Sequence, residues 1–262
     1  MSGDGTRPAG EHQRGPTNTP SPLPRGAVAT GDGGVRPIVL YVDAEHERVV
    51  TDPVLGASHR ARLDVARDRL ASAAGATCLV AGYAGVSPAM VEETGVAAVV
   101  ISGNTTDWAD FDFTAMAGLL DVIRAAPVPI LGICAGHQLI GLAHGAGWGP
   151  LGPLAEGEVD PDPRFAPGQR KERGFLPVRG DPECPLFAGL DQPGTFFQSH
   201  YWQLEEVPDG FVGRATSPWS RIQAIERCDR PVFGVQFHPE RYDAAHPAGA
   251  TVIRNFFALS RE

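Results

Sequence analysis

Apolar residues along the chain fall into compact runs that alternate with helical spacings. Arg36–Val42 is a dense apolar run and predicts a first strand. In the segment 59–75, Leu63, Ala66, Leu70 and Ala73 follow one another at spacings of 3, 4 and 3, which predicts a helix that Gly75 ends. Thr77–Tyr83 predicts a second strand, and Ser87-Pro88 opens a short helix with proline at its first position. Val96–Ile101 shows no alternation and predicts a strand buried on both faces. Phe113, Met116, Leu120 and Ile123 mark a second long helix. Pro127 and Pro129 then bound a short apolar strand, and Leu139, Leu142, Ala143 and Ala146 place a further helix after it. This alternation predicts an α/β fold, a mostly parallel central sheet with helices on both sides.

From Glu158 to Phe237 the pattern changes to short strands and turns. Phe175–Val178, Thr195–Gln198, Phe211–Ala215, Arg221–Glu226 and Val232–Phe237 are the expected strands, a smaller antiparallel region in the C-terminal half. A last helix over Ala244–Leu259 packs Ile253, Phe256 and Phe257. Residues 1–35 contrast with all of this. They are Gly, Pro, Ser, Thr and charges, too poor in large apolar groups to offset the entropy of ordering, and they read as a disordered tail. Residues 36–262 are expected to form one domain.

Composition narrows the function classes. No apolar run is long enough to span a bilayer, and the tail has no secretory core. A net charge of −9 argues against nucleic acid or an anionic membrane as partner. The four cysteines are widely spaced with no CxxC pair, so no metal is expected, and a reducing cytoplasm is the simplest home. Lys171 is the single lysine, and no Gly-rich loop precedes it. Without a phosphate-binding loop or a GxGxxG fingerprint, neither a nucleotide site nor any other cofactor is expected. The Arg-, Ala-, Gly- and Pro-rich composition points to a GC-rich bacterial genome.

Two segments carry chemistry. Gly132-Ile133-Cys134-Ala135-Gly136-His137-Gln138 follows the strand bounded by Pro129 and sets a cysteine in a glycine-flanked turn at a helix N-terminus. There the backbone N–H groups and the helix dipole favour a thiolate. Gly234-Val235-Gln236-Phe237-His238-Pro239-Glu240 ends a strand in a histidine with a carboxylate two residues on. Cys134, His238 and Glu240 thus supply nucleophile, base and orienting acid. Cys78 and Cys228 lie in strand-like runs and are expected to be buried thiols, and His137 and His144 have no carboxylate partner legible in sequence.

The two motifs, in this order and separation, resemble those of the class I (triad) glutamine amidotransferases, and among them the stand-alone glutaminase domain of the GMP-synthase type. The resemblance runs from Val39 to Phe257 and implies the flavodoxin-like fold of that family. It implies a triad of Cys134, His238 and Glu240, with oxyanion donors from the N–H of Ala135 and from the loop Ile101-Ser102-Gly103-Asn104. The family usually has Gly-Pro where this chain has Asn104-Thr105, so a left-handed Asn104 is expected to keep the donor in place. Substrate contacts are implied for Gly103, Gln138, Ser199, His200, Tyr201 and Trp202, with Tyr201 replacing a small residue. His137 and the Lys171-Glu172 pair are expected to be structural.

The implied activity is hydrolysis of the glutamine side-chain amide through a γ-glutamyl thioester on Cys134, the ammonia passing to a separate synthetase subunit. Two alternatives stay open on the sequence. The altered 103–106 loop and Tyr201 would suit γ-glutamyl amides other than glutamine, and the same fold could serve a catalytically silent regulator.

Overall fold

The computed structural model describes residues 27–29 and 35–260. In chain order the elements are β1 (Ala27–Ala29), β2 (Val35–Asp43), α1 (Glu47–Val50), α2 (Leu55–Ala74), β3 (Thr77–Gly82), α3 (Pro88–Thr94), β4 (Ala98–Ile101), α4 (Ala117–Ala125), β5 (Ile130–Ile133) and α5 (Ala135–Ala143). They continue with β6 (Trp148–Pro150), β7 (Glu172–Gly180), β8 (Gly194–His200), β9 (Trp202–Leu204), β10 (Phe211–Thr216), β11 (Ala224–Arg227), β12 (Val232–Val235) and α6 (Ala248–Leu259). Among the described residues, ten strands join in one sheet, and β6 and β9 form a separate antiparallel pair.

Strands β3, β2, β4, β5 and β12 are neighbours in that order and all parallel. Beyond β12 the sheet continues antiparallel through β11, β10, β7 and β8. The expected architecture is therefore present. The central strands are buried on both faces, as their unbroken apolar runs require. Ile38, Leu40 and Val42 of β2 pack on one side with α4 and α5, through Leu119, Ile123, Leu139 and Ile140. Val39 and Tyr41 point the other way, onto Leu70 of α2 and Val252, Ile253 and Phe256 of α6.

Most differences from the sequence reading are at element ends. The second long helix starts as a 3-10 turn over Phe113–Met116, capped by the Asp112 side chain, before α4 begins. The last helix starts at Ala248, because the Asp243 carboxylate accepts the N–H groups of Ala245 and His246 and holds those residues in a turn ahead of Pro247. Ala27–Ala29, assigned to the tail by composition, pairs antiparallel with the first residues of β2. Two alanines and a valine suffice for an edge strand when the partner already exists. Residues 1–26 and 30–34 of the expected tail lie outside the described residues.

One close approach fixes the centre. Helix α5 lies so near β4 and β5 that a Cβ on Gly136 would sit 2.6 Å from the Ile101 carbonyl oxygen, and one on Gly132 would sit 2.4 Å from the Gly136 oxygen. Gly136→Ala is therefore expected to destabilise the fold by about 2 kcal/mol, the usual range for overpacking. The thermal midpoint should drop by roughly 4–8 °C for a domain of this size. Gly82→Ala, where a Cβ meets nothing within 4 Å, should leave the midpoint unchanged in the same calorimetric scan.

Candidate active site

The C-terminal ends of β4, β5 and β12 converge, and each delivers one part of the site. Cys134 sits between β5 and α5 with φ 51° and ψ −99°, a conformation that L residues rarely adopt. A neighbouring strand and the following helix impose it. The Cys134 N–H donates to the Val235 carbonyl at 2.8 Å, and its carbonyl accepts the Gln138 N–H at 3.1 Å. Such strain persists only where the surroundings over-determine it. The sulfur is a free thiol at the start of α5, and the Gln236 amide donates to it at 3.6 Å. The Ala135 N–H, first of the helix, has no preceding turn to accept it.

His238 follows β12, and its N–H donates to the Phe197 carbonyl at 2.8 Å. Its Nδ1 lies 2.8 Å from Glu240 Oε1. Burial works against a charged ring, but the Glu240 carboxylate and the Cys134 sulfur outweigh it and push the imidazole up to about 10. Nε2 is buried with no hydrogen-bond partner, so it remains available to a proton in transit. The Glu240 backbone carbonyl is held by Arg69 at 2.5 Å, and that guanidinium lies 4.0 Å over the Tyr242 ring. Gly103 closes over the pair. A Cβ there would be 2.7 Å from His238 Cε1 and 3.3 Å from Cys134 Cβ.

The loop after β4 corrects one expectation. Asn104 is not left-handed, since Ala126, Cys134 and Ala166 are the non-glycine residues with positive φ among the described residues. What holds the loop is a buried carboxylate that sequence reasoning missed. Glu45 Oε2 accepts the Thr105 N–H at 2.8 Å and the Thr105 hydroxyl at 2.7 Å, while Oε1 accepts the Thr106 hydroxyl at 2.8 Å. The Glu45 N–H donates in turn to Asp43, whose other oxygen lies 2.7 Å from His59. Thr105 and Thr106 thus anchor the loop to Glu45. The signal was present as Asp43-Ala44-Glu45 directly after an apolar strand, but nothing in one sequence joins it to residues sixty positions away.

The expected substrate residues divide. Gln138 is buried and fully engaged, accepting from the Trp108 indole at 2.7 Å and donating to the Trp202 carbonyl and the Gln236 amide at 2.9 and 3.0 Å. His200 is likewise buried between the Trp202 carbonyl at 2.8 Å and Glu172 at 2.9 Å. Both side chains hold the backbone at Trp202 from either side, which is framework rather than open contact. The Ser199 hydroxyl accepts from Arg173, and Tyr201 donates to Asp107. Cys134, Asn104, Gln138, Ser199, His200, Tyr201 and Trp202 nonetheless border one small cavity of about 20 Å3. A larger cavity of about 510 Å3 lies across the loop, reaching Gly103, His238 and Glu240 but not Cys134.

The other cysteines and His137 are set apart. Cys78 is half-buried and Cys228 exposed, against the expectation of two buried thiols; Cys78 lies on the edge strand β3, and Cys228 just follows β11. Burial pushes the Cys78 and Cys184 thiols up to about 12. His137 is buried, and burial pushes it down to about 3, so it stays a neutral packing group against Gly234.

Known proteins share the sequence pattern and the fold. The family model for glutamine amidotransferase class-I matches residues 72–259. The glutamine-hydrolyzing GMP synthase subunit of Methanocaldococcus jannaschii is 31% identical over 185 residues, covering 66% of this chain and 85% of that one. Its counterpart in Methanosarcina mazei is 35% identical over 145 residues, 55% of this chain and 66% of its own. The crystal structure of a GMP synthase subunit from Thermoplasma acidophilum shares the fold, with a TM-score of 0.63 over 86% of this chain and 94% of that one at 21% identity. The strained cysteine turn, the histidine–glutamate pair and the family match together lead to one conclusion: this chain belongs to the class I glutamine amidotransferases.

Proposed function

We propose that this enzyme hydrolyses the side-chain amide of glutamine on Cys134 and passes the ammonia to a separate synthetase subunit, of the kind that completes a GMP synthase. The observation that carries the reading is the strained Cys134 facing a His238 that Glu240 holds at 2.8 Å. The thiolate attacks the carboxamide carbon, and the carbonyl oxygen takes the negative charge, opposite the Ala135 N–H and the Gly103–Asn104 backbone. As the C–N bond breaks, His238 Nε2 gives its proton to the leaving nitrogen and ammonia departs. The remaining γ-glutamyl thioester is attacked by water, whose proton His238 takes. The C–S bond then breaks, releasing glutamate and restoring the thiolate–imidazolium pair. The GMP synthase subunits among the relatives support the ammonia-accepting partner, and four free thiols suit a reducing cytoplasm.

Glutamine hydrolysis by purified variants tests this. Cys134→Ala should lower turnover by at least about a thousand-fold, while Cys78→Ala and Cys228→Ala keep it. Retention of more than a few per cent by Cys134→Ala would rule out the covalent route.

His238 must stay protonated until it gives its proton to the leaving ammonia. Its ring is raised to about 10, so the charged form persists through neutral pH and is lost as pH climbs through that value. Glu240→Gln removes a charge that raises it. The alkaline limb of the kcat/KM profile should therefore move to lower pH, with a smaller loss at neutral pH than His238→Ala causes. An unmoved limb would mean that Glu240 does not set the charge of the ring.

Glu45→Gln places an amide N–H against one of the donors that Glu45 now accepts. It should lower kcat by roughly ten- to hundred-fold with little change in KM, short of the loss for a full oxyanion donor. Equal kcat in steady-state assays would show that the loop stands without its clamp.

A further inference from the structure

The cavity at Cys134, about 20 Å3, holds roughly one water and no carboxamide with its stem. Something must move before substrate enters. The outer wall is Tyr201, whose hydroxyl donates to Asp107 Oδ2, and Phe165, edge-on to Tyr201 at 5.4 Å between ring centres. Phe165 rides on a loop tied from below. The Lys171 ammonium, 0% exposed, pairs with Asp160 at 2.8 Å and donates to the carbonyls of Asp162, Phe165 and Ala166.

Asp107 lies between two lining residues, Thr106 and Trp108, and its second oxygen caps the following turn by accepting the Ala109 N–H at 2.9 Å. Burial opposes its charge, yet the bonds from Tyr201 and Ala109 hold it below the usual carboxylate range. Burial and Asp107 together push the Tyr201 hydroxyl up to about 12. The pair is thus a neutral phenol donating to an anion. Glu45, the other carboxylate at this loop, has both oxygens committed to Thr105 and Thr106. On the same wall, Asn104 Nδ2 is a buried donor without a partner, unused in the empty pocket.

Resting on the amidase reading above, we propose that the Tyr201–Asp107 hydrogen bond latches the carboxamide pocket shut and is exchanged, on entry of a γ-glutamyl substrate, for a bond between Asp107 and the substrate's α-ammonium. An ammonium gives a carboxylate a charge–charge attraction on top of the hydrogen bond, which a neutral phenol cannot. The α-ammonium therefore outcompetes the phenol, Tyr201 swings out with Phe165, and the cavity widens. An amide without that ammonium finds the latch closed. Tyr201 and Asp107 thereby select amino-acid amides over simple ones, and the bulk at position 201 acts as a gate.

The test compares glutamine with glutaramate, its des-amino counterpart, on the full chain. Asp107→Asn keeps the turn cap and an acceptor for Tyr201 but loses the charge. The ratio of kcat/KM for glutamine over glutaramate should fall roughly ten- to hundred-fold, mainly through KM for glutamine. Tyr201→Phe removes the latch and should raise glutaramate hydrolysis severalfold. An unchanged ratio in Asp107→Asn, or glutaramate hydrolysis unmoved in Tyr201→Phe, overturns the latch. Capture of Cys134 by 6-diazo-5-oxo-L-norleucine, read by mass spectrometry, separates the two levels. A wild-type chain that is labelled, beside an Asp107→Asn variant whose ratio is unchanged, defeats the latch alone, whereas a wild-type chain that is never labelled defeats the amidase reading and the latch with it.

Discussion

Everything at this site depends on how close α5 comes to β4 and β5. With no Cβ at Gly132 or Gly136, the helix backbone presses against the Ile101 carbonyl. The chain between strand and helix then has no length to turn gradually. Cys134 takes the whole change of direction in one residue, at φ 51°, and its sulfur emerges where β4 and β12 end. The conformational cost, of order 1–3 kcal/mol for a side-chain-bearing residue, is offset by the two apolar layers packed on either side of the sheet. The placing of the sulfur here follows from packing density more than from any single polar contact.

Around the cysteine, the polar residues form a second scaffold. Gln138, Trp108 and Gln236 bond to one another in the interior, and Gln198, Gln223, Glu172 and His200 do so beneath β7 and β8. Buried polar groups joined in this way specify one arrangement, because each broken bond leaves a costly orphan. The two networks meet at the Trp202 carbonyl. The backbone beside Tyr201 is thereby rigid while the tyrosine side chain keeps a bond that can be exchanged.

Much of this was legible in the chain itself. Unbroken apolar runs marked β4 and β5, and glycines on both sides of Cys134 marked the turn, because burial and close approach leave strong local signatures. The histidine–glutamate pair was readable because its members are two residues apart. The Glu45 clamp was not, since it joins the segment after β2 to the loop after β4 through contacts that no local period encodes. Asn104 was misjudged for a related reason. The loop conformation is set by threonines bonded to a distant carboxylate, so the propensity of residue 104 itself had no say. β6 and β9 escaped because three residues show no period, and their pairing of Trp148 with Leu204 is purely tertiary.

The chain's one lysine has a consequence of a different kind. Lys171 is sealed under the loop that carries Phe165 and offers no ammonium to solvent. Amine-directed acylation, whether by a chemical reagent or a modifying enzyme, finds no lysine side chain on the described surface. Such a reagent reaches Lys171 only when that loop lifts from its anchor. The residue is in effect a built-in reporter of local opening, its acylation rate a clock for how often this part of the fold comes loose.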